Sequence, residues 1–189
     1  MLLTDGWDRT QRRTTISSFS LDWEEFAYRH DSIAADFSVG RLDLDEYLHR
    51  TIFYRDRGFT RPEFVDAMKA HSREIDGSLD IVAELAATDV FLATLNNESR
   101  ELNEHRIEAF GLRRFFPVFL SSCYLGVKKP DRIMYRLALE ITQSSAENCI
   151  FVDDRPLNIE CALDVGMTGI QFEDAVRLRT TLAELGLLS

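Results

Sequence analysis

Apolar and polar positions follow two different rhythms along this chain, and the change comes near Gly77. From about Arg9 to His71, apolar residues recur at intervals of three and four. Asp22 with Glu25 three residues on has the form of a capping box with Asp as the cap. Trp23, Phe26, Ala27, His30, Ile33, Ala34 and Phe37 follow at helical spacing, which predicts a helix over 22–37. Asp43 with Glu46 repeats the start signal ahead of Tyr47, Leu48, Thr51 and Ile52. Thr60-Arg61-Pro62-Glu63 supplies a capping box with proline at the second helical position, and Gly40 and Gly58 mark turns. The pattern predicts a succession of short helices with no strand between them.

After Gly77 the period alternates. The pattern predicts helices over 79–87, 101–110, 131–141, 157–165 and 174–185, and strands over 90–95, 118–122, 149–152 and 168–172. Such alternation requires parallel strands joined by right-handed crossovers. The expected fold is therefore α/β: a parallel Rossmann-like sheet with helices on both faces and an inserted α-helical cap. Residues 1–8 and 78–189 would form the α/β core, and 9–77 the cap. Met1 to Thr4 offers few apolar residues before Asp5-Gly6-Trp7-Asp8, so a first strand there would be very short.

The stretch Cys149 to Asn158 carries the clearest chemistry. Cys149, Ile150, Phe151 and Val152 read as a strand buried on both faces, and they run into the adjacent carboxylates Asp153 and Asp154 before Arg155-Pro156 ends the strand. Parallel sheets keep their ligands at this end of the strands. Capping the next helix needs only one of the two acids, and a neighbouring pair of like charges calls for a cation between or beside them. A hard divalent ion with a lysine nearby meets that need.

Charge and composition narrow the function. With 189 residues, 45% of them hydrophobic, the chain can bury a full core. Its 32 acidic against 22 basic residues give a net charge of −10, which argues against a nucleic-acid partner and against an anionic membrane surface. Cys123, Cys149 and Cys161 match neither a disulfide framework nor metal-ligand spacing, so a reducing, cytoplasmic setting is expected. No stretch has the length of a membrane span or the order of a signal peptide. His30, His49 and His71 lie in or beside the helical region without carboxylates at ligand spacing and read as packing or surface residues.

Three strand ends carry polar groups able to converge: Asn96 with Asn97, Lys129 in a following loop, and Asp153 with Asp154. Amide donors, a fixed ammonium and an acid pair are the parts that hold a phosphoryl group as its charge redistributes. A nucleophile is lacking from this set.

These residues resemble a known family. Leu95-Asn96-Asn97-Glu98, then Ser121 to Asp131 (SSCYLGVKKPD), then Phe151-Val152-Asp153-Asp154-Arg155-Pro156-Leu157-Asn158 look like the second, third and fourth motifs of the haloacid dehalogenase superfamily. The likeness is to its helical-cap branch, which holds sugar-phosphate phosphatases and the N-terminal phosphatase domain of soluble epoxide hydrolase. It implies a Mg²⁺-dependent phosphatase that acts on a small phosphorylated metabolite through an aspartyl-phosphate intermediate. It also implies that Lys129 stabilises the nucleophile and the phosphoryl group, that Asp154 binds Mg²⁺, that Asp153 orients the metal's waters, and that Asn158 supports the acidic loop. Asn96 would hydrogen-bond a phosphoryl oxygen where the family usually has Ser or Thr, and Asn97 matches the asparagine that commonly follows.

The first motif departs from the family. Read in place, Asp5 would be the nucleophile, but Trp7 would then replace the general acid. In the better alignment, Leu2 to Trp7 matches a segment just downstream of that motif, and the nucleophile strand is absent from the chain as given. Such a chain is expected to be poorly stable, or to refill the gap with Met1 to Thr4. The rival expectation is a catalytically inactive member acting as a binding or regulatory module. Oligomeric state is not legible.

Overall fold

The computed structural model describes residues 2–188. Four helices come first: α1 (Arg9–Ser18), α2 (Trp23–Ser38), α3 (Leu44–Thr51) and α4 (Arg61–Lys69). Each begins where a short polar side chain satisfies amides that the first turn leaves unpaired. The Asp8 carboxylate accepts from the amides of Thr10 and Gln11 at 2.8 and 3.1 Å, and Asp22 and Asp43 accept from Glu25 and Glu46, each at 2.7 Å. Thr60 and Glu63 cap each other reciprocally.

These helices bury an aromatic core of their own. Phe26, Phe37, Tyr47, Leu48, Ile52, Phe64 and Met68 form it, with Trp7 packed edge-on against both Phe26 and Phe64. Phe37 stacks on Tyr47 with ring centroids 4.0 Å apart. Trp7 thus precedes the first helix in the chain yet belongs to the helical core.

The alternating half follows: α5 (Ser78–Ala86), β1 (Ala93–Asn96), α6 (Arg100–Ala109), β2 (Val118–Ser121), α7 (Ser122–Leu125), α8 (Arg132–Thr142), β3 (Ile150–Asp153), α9 (Pro156–Asp164), β4 (Thr168–Gln171) and α10 (Ala175–Glu184). All strand pairing is parallel. β1 pairs with β2 from Ala93↔Val118 to Asn96↔Ser121, and β3 with β4 from Ile150↔Thr168 to Asp153↔Gln171. Successive strand residues face opposite sides. Phe151 accordingly packs on Met134, Tyr135, Ile159 and Ala162 of α8 and α9, while its neighbour Val152 joins Ile81, Leu85, Leu178 and Leu182 of α5 and α10. Helix and strand approach closely at Gly169, where a Cβ would stand 2.7 Å from a methyl of Ile159.

The two halves meet tightly at the end of α2. Gly40 has φ +74°, and a Cβ on it would stand 2.2 Å from the Cys123 carbonyl oxygen, so only glycine fits there. Beside it the Ser122 hydroxyl donates to the Ser38 carbonyl at 2.6 Å.

One expectation needs correction. A single sheet was the reading from alternation, but the described strands form two separate pairs, β1-β2 and β3-β4. β1 and β3 do not bond to each other, because no strand lies between them to carry the ladder across. Nor do the first residues fill that place. Leu3 forms an isolated antiparallel bridge with Glu74, the Thr4 amide donates to the Arg73 carbonyl at 2.9 Å, and the Ile75 amide donates to the Leu2 carbonyl at 3.0 Å. Leu2 to Thr4 therefore runs along the connection that leaves the helices. Met1 lies outside the described residues. The strand expected over 90–95 is also shorter, pairing only from Ala93 onward. No helix among the described residues is long and apolar enough to cross a membrane.

Candidate active site

The C-terminal ends of β1 and β3, with the loop after α7, bring most of the singled-out residues together. The Lys129 ammonium donates to Asp153 Oδ2 at 2.6 Å and to the Leu95 carbonyl at 2.7 Å, so it spans from one strand to the other. Asn97 fixes the lysine from behind: its Nδ2 donates to the Lys129 carbonyl, and the Lys129 amide donates to its Oδ1, both at 2.8 Å. Asn97 is thereby committed to holding that loop.

Asp153 is a hydrogen-bond acceptor on every side. Oδ1 takes the Arg155 amide at 2.9 Å and Asn158 Nδ2 at 2.8 Å, while Oδ2 takes the lysine. Burial pushes this carboxyl up, but the Lys129 charge and these hydrogen bonds outweigh it and hold the pKa below the ordinary value. Asp154 differs in kind. Its carboxylate is half-exposed and carries no hydrogen bond or ion pair from any described residue. Asn96 Nδ2 donates to Asn103 Oδ1 at 2.9 Å, and its own Oδ1 is buried without a partner.

Asp5 stands on the same rim, 3.8 Å from the Arg155 guanidinium, with no bond to Lys129. Burial raises its pKa; Arg155 works against that rise, and the nearby charges of Asp154 and Asp8 add to it. Asp5 and Asp154 are thus close enough to repel.

Sequence reasoning missed a second buried ion pair beside the site. Arg106 lies 3.0 Å from Glu98 and also donates to the Thr4 carbonyl, tying the chain start to α6. Burial raises the Glu98 pKa despite Arg106. The only sequence signal was Glu98 following Asn97. Neither charge marks itself as buried.

A cavity of about 1200 Å³ opens at this rim. Arg9, Arg12, Arg106, Lys128, Lys129 and Arg155 line it alongside Asp5, Asp8, Glu98, Asp153 and Asp154. Positive charge is concentrated here in a chain of net charge −10. From the helical half, Trp7, His30 and Phe37 also reach it.

The donor chemistry suits a hard divalent ion. Asp154 is unengaged, Asp5 repels it, and both offer oxygen. Among the described residues, no group of three or more His, Cys, Asp or Glu converges closely enough to hold a metal alone. Mg²⁺ keeps several waters and takes one or two carboxylates together with substrate oxygens.

Comparison with known proteins places the chain. The model of the haloacid dehalogenase-like hydrolases matches residues 29–172. Flavin mononucleotide hydrolase 1 of Arabidopsis thaliana is 30% identical over 161 residues, which is 84% of this chain and 64% of that protein. The chain thus spans less than two thirds of the length of that relative. Bifunctional epoxide hydrolase 2 of Sus scrofa is 32% identical over 74 residues, covering 39% of this chain and 13% of its own. Among solved structures, a haloacid dehalogenase family enzyme of Bacteroides thetaiotaomicron superposes with a TM-score of 0.78 at 16% identity, covering 92% of this chain and 89% of that one. The same enzyme in complex with magnesium and inorganic phosphate superposes with a TM-score of 0.75 at 15% identity, again over 92% and 89% of the two chains. A family match over most of the chain, on a fold shared almost end to end, makes this protein a member of the haloacid dehalogenase-like hydrolases.

Proposed function

We propose that the protein belongs to the phosphatase type of this family and hydrolyses a small phosphorylated metabolite with Mg²⁺. The observation that carries the reading is the Lys129–Asp153 pair, an ammonium and a carboxylate 2.6 Å apart, with the unengaged Asp154 as neighbour at the mouth of a cavity lined by both basic and acidic side chains. The similarity to a flavin mononucleotide hydrolase and to an enzyme solved with magnesium and inorganic phosphate agrees with it.

In this reading Lys129 neutralises charge on the phosphoryl oxygens, and Asn97 holds the lysine in register. Asn96, once released from Asn103, donates to a phosphoryl oxygen. Asp154 would hold the metal ion, while Asp153 would orient the water around it and pairs with Lys129. Bound Mg²⁺ would offset the negative charge of phosphate and carboxylates. The helices over 9–77 act as a cap that closes over the substrate and excludes water, on a core made of 1–8 and 78–189. An attacking carboxylate oxygen bonds to phosphorus as the ester oxygen departs, taking a proton from water. A second water then cleaves the acyl phosphate, restoring the carboxylate and releasing inorganic phosphate.

Asp5 is poorly suited to be that attacking group. It lies 3.8 Å from the Arg155 guanidinium and makes no bond to Lys129. A second reading, a non-catalytic binding module, is favoured by one observation: the only carboxylate bonded to Lys129 among the described residues is Asp153.

The test is hydrolysis of an aryl phosphate with Mg²⁺ by the chain, by Asp5→Asn and by Lys129→Ala. The expected result is that Asp5→Asn keeps the parent rate within about threefold and Lys129→Ala lowers it by about 10³-fold. A loss of that size in Asp5→Asn would make Asp5 the nucleophile. No turnover in any form, including one completed by an added strand, would support the module.

A further inference from the structure

The helical half lines one wall of the 1200 Å³ cavity with groups that the phosphoryl chemistry leaves unused. Arg9 and Arg12 share a face of α1, as do His30, Ala34, Phe37 and Ser38 on α2, and all of them border the cavity. Arg12 is a half-buried cation without a carboxylate at ion-pair distance among the described residues. Its Nη1 donates to the Trp7 carbonyl at 2.5 Å, while its Nε is buried with no acceptor. Burial lowers its pKa against the raising pull of Tyr47, Asp8 and Asp31. Neither acid meets it: Asp8 Oδ1 is committed to the Thr10 and Gln11 amides, and Asp31 is exposed.

His30 supplies a second donor beside it. The residue is only 8% exposed, and its ring stacks on Phe26 with centroids 5.6 Å apart. The fully buried Tyr47 hydroxyl receives the Trp7 Nε1 proton at 2.9 Å, so its own proton goes to His30 Nδ1, 2.8 Å away. This order assigns the tautomer: Nδ1 is the bare acceptor, and Nε2 carries the hydrogen. Nε2 lies on the far side of the ring from Tyr47 and has no hydrogen-bond partner among the described residues. Burial, and after it the Arg12 charge, keep the ring neutral, so guanidinium and imidazole lie near each other. Donors held out of water in this way cost stability unless an acceptor meets them.

We propose that Arg12 and His30 form a second anion subsite, which binds an oxyanion group carried by the substrate at the end remote from its phosphoryl group. The substrate class narrows to phosphorylated metabolites with a further anionic group, a carboxylate or another phosphate. An anion fits better than a neutral group because a half-buried guanidinium without a carboxylate is electrostatically incomplete, and a charged acceptor offsets its desolvation better than a hydroxyl does. Asp8 is the acid on this wall, and Arg9 balances it, which leaves the Arg12 charge in excess. Ala34 and Phe37 follow His30 along α2 and give an apolar strip for the carbon chain between the two anionic ends. The role as a substrate subsite rests on the phosphatase reading above, whereas the donor wall stands on its own geometry.

The experiment is isothermal titration of the whole chain, with Mg²⁺, by phosphonates that resist hydrolysis: alkylphosphonates of graded length, and the same chains ended by a carboxylate or a second phosphonate. At the matching length the added charge is expected to tighten binding by about tenfold or more. A gain with either end group supports the subsite, and their ratio tells carboxylate from phosphate. Arg12→Gln should abolish the gain. His30→Asn, which keeps a partner for Tyr47 and deletes the Nε2 donor, should reduce it about threefold. Both should bind the plain alkylphosphonate as the parent does, and Arg13→Met, whose guanidinium lies over Trp23, should match the parent throughout. The proposal is overturned by no gain at any length, by a gain that survives Arg12→Gln, or by equal weakening of plain and charge-ended ligands in that variant. Proton–nitrogen correlation spectra of the parent's imidazoles need no substitution. A protonated Nε2 with a bare Nδ1 at His30 is expected, and the reverse overturns the proposal. No phosphonate binding at all, or plain binding that Lys129→Met does not weaken, counts against the phosphatase reading instead. Glutarate is then the probe: it is expected to move the His30 Nε2 signal in the parent and not in Arg12→Gln, and no shift overturns the subsite.

Discussion

The helical half and the α/β half of this molecule satisfy their backbones in opposite ways. In α1 to α4 the helical ladder closes each backbone bond within a few residues, side chains cap the starts, and the aromatic core around Tyr47 and Phe64 is sealed, both residues being fully buried. In the α/β half each strand depends on a partner distant in the chain, and the facing edges of β1 and β3 have none among the described residues. Local devices complete a helix bundle; a parallel sheet is complete only when every neighbour is present. The seam between β1 and β3 coincides with the functional site, because Lys129 bridges it.

The largest expected effect follows from cutting that bridge. Lys129→Met leaves Asp153 buried without its cation and is expected to cost about 3–5 kcal/mol, besides the loss of turnover. Urea denaturation checks it, with Lys129→Met/Asp153→Asn as the informative partner. The double variant should recover most of the stability and none of the activity. If the single variant melts like the parent, the bridge does not hold the halves.

Paired leucines sharpen the contrast next. Leu48 is fully buried in the helical core, whereas Leu95 faces the seam half-covered. Leu48→Ala is expected to cost about 3–4 kcal/mol, with a cavity left behind. Leu95→Ala is expected to cost about 1 kcal/mol, since part of the side chain has no contacts to lose. Equal losses would mean that the seam is as tightly packed as the bundle.

The helical half also holds a proton-sensitive element. His30 Nδ1 lies 2.8 Å from the Tyr47 hydroxyl, which receives a hydrogen bond from Trp7 Nε1 at 2.9 Å. Burial, with the Arg12 charge assisting, lowers the His30 pKa to about 4, against a small opposing pull from Asp31. Above the ordinary histidine pKa, folded and unfolded chains are both neutral at this position and nothing is lost. As pH falls from about 6.5 to about 4, the unfolded chain takes a proton that the folded one refuses, so stability declines by about 2–3 kcal/mol and then levels off. Denaturation midpoints of the parent and His30→Asn across that window check it, the variant losing this part of the slope.

What was legible beforehand follows the same division. The helix starts at Asp22, Asp43 and Thr60 were readable because a cap is written within four residues. The strand before the acid pair was readable to within one residue, running from Ile150 to Asp153. Alternation could not show the open seam, because it reveals strands and not their partners; the expectation of an unfilled place beside two strands comes from the resemblance and from the scarcity of apolar residues before Asp5. At the site, Lys129 and Asp153 could be matched by motif. The engagement of Asn96 with Asn103 and the burial of Glu98 with Arg106 could not, because each requires knowing how the turn after β1 aims α6.

The smallest expected effect tests whether the contrast is one of partners or of local quality. Thr60 caps α4 in the helical half, and Asp131 caps α8 beside the seam, accepting from the Ile133 amide at 2.9 Å. Each cap serves only its own first turn, so Thr60→Ala and Asp131→Ala are expected to cost about 1 kcal/mol apiece by thermal or urea melting. Equal costs would show that helix ends are as well made beside the seam as far from it, leaving the unpaired edges of β1 and β3 among the described residues as the source of the difference between the halves. A markedly larger cost at Asp131 would mean instead that α8 relies on its cap because the sheet beneath it gives too little support.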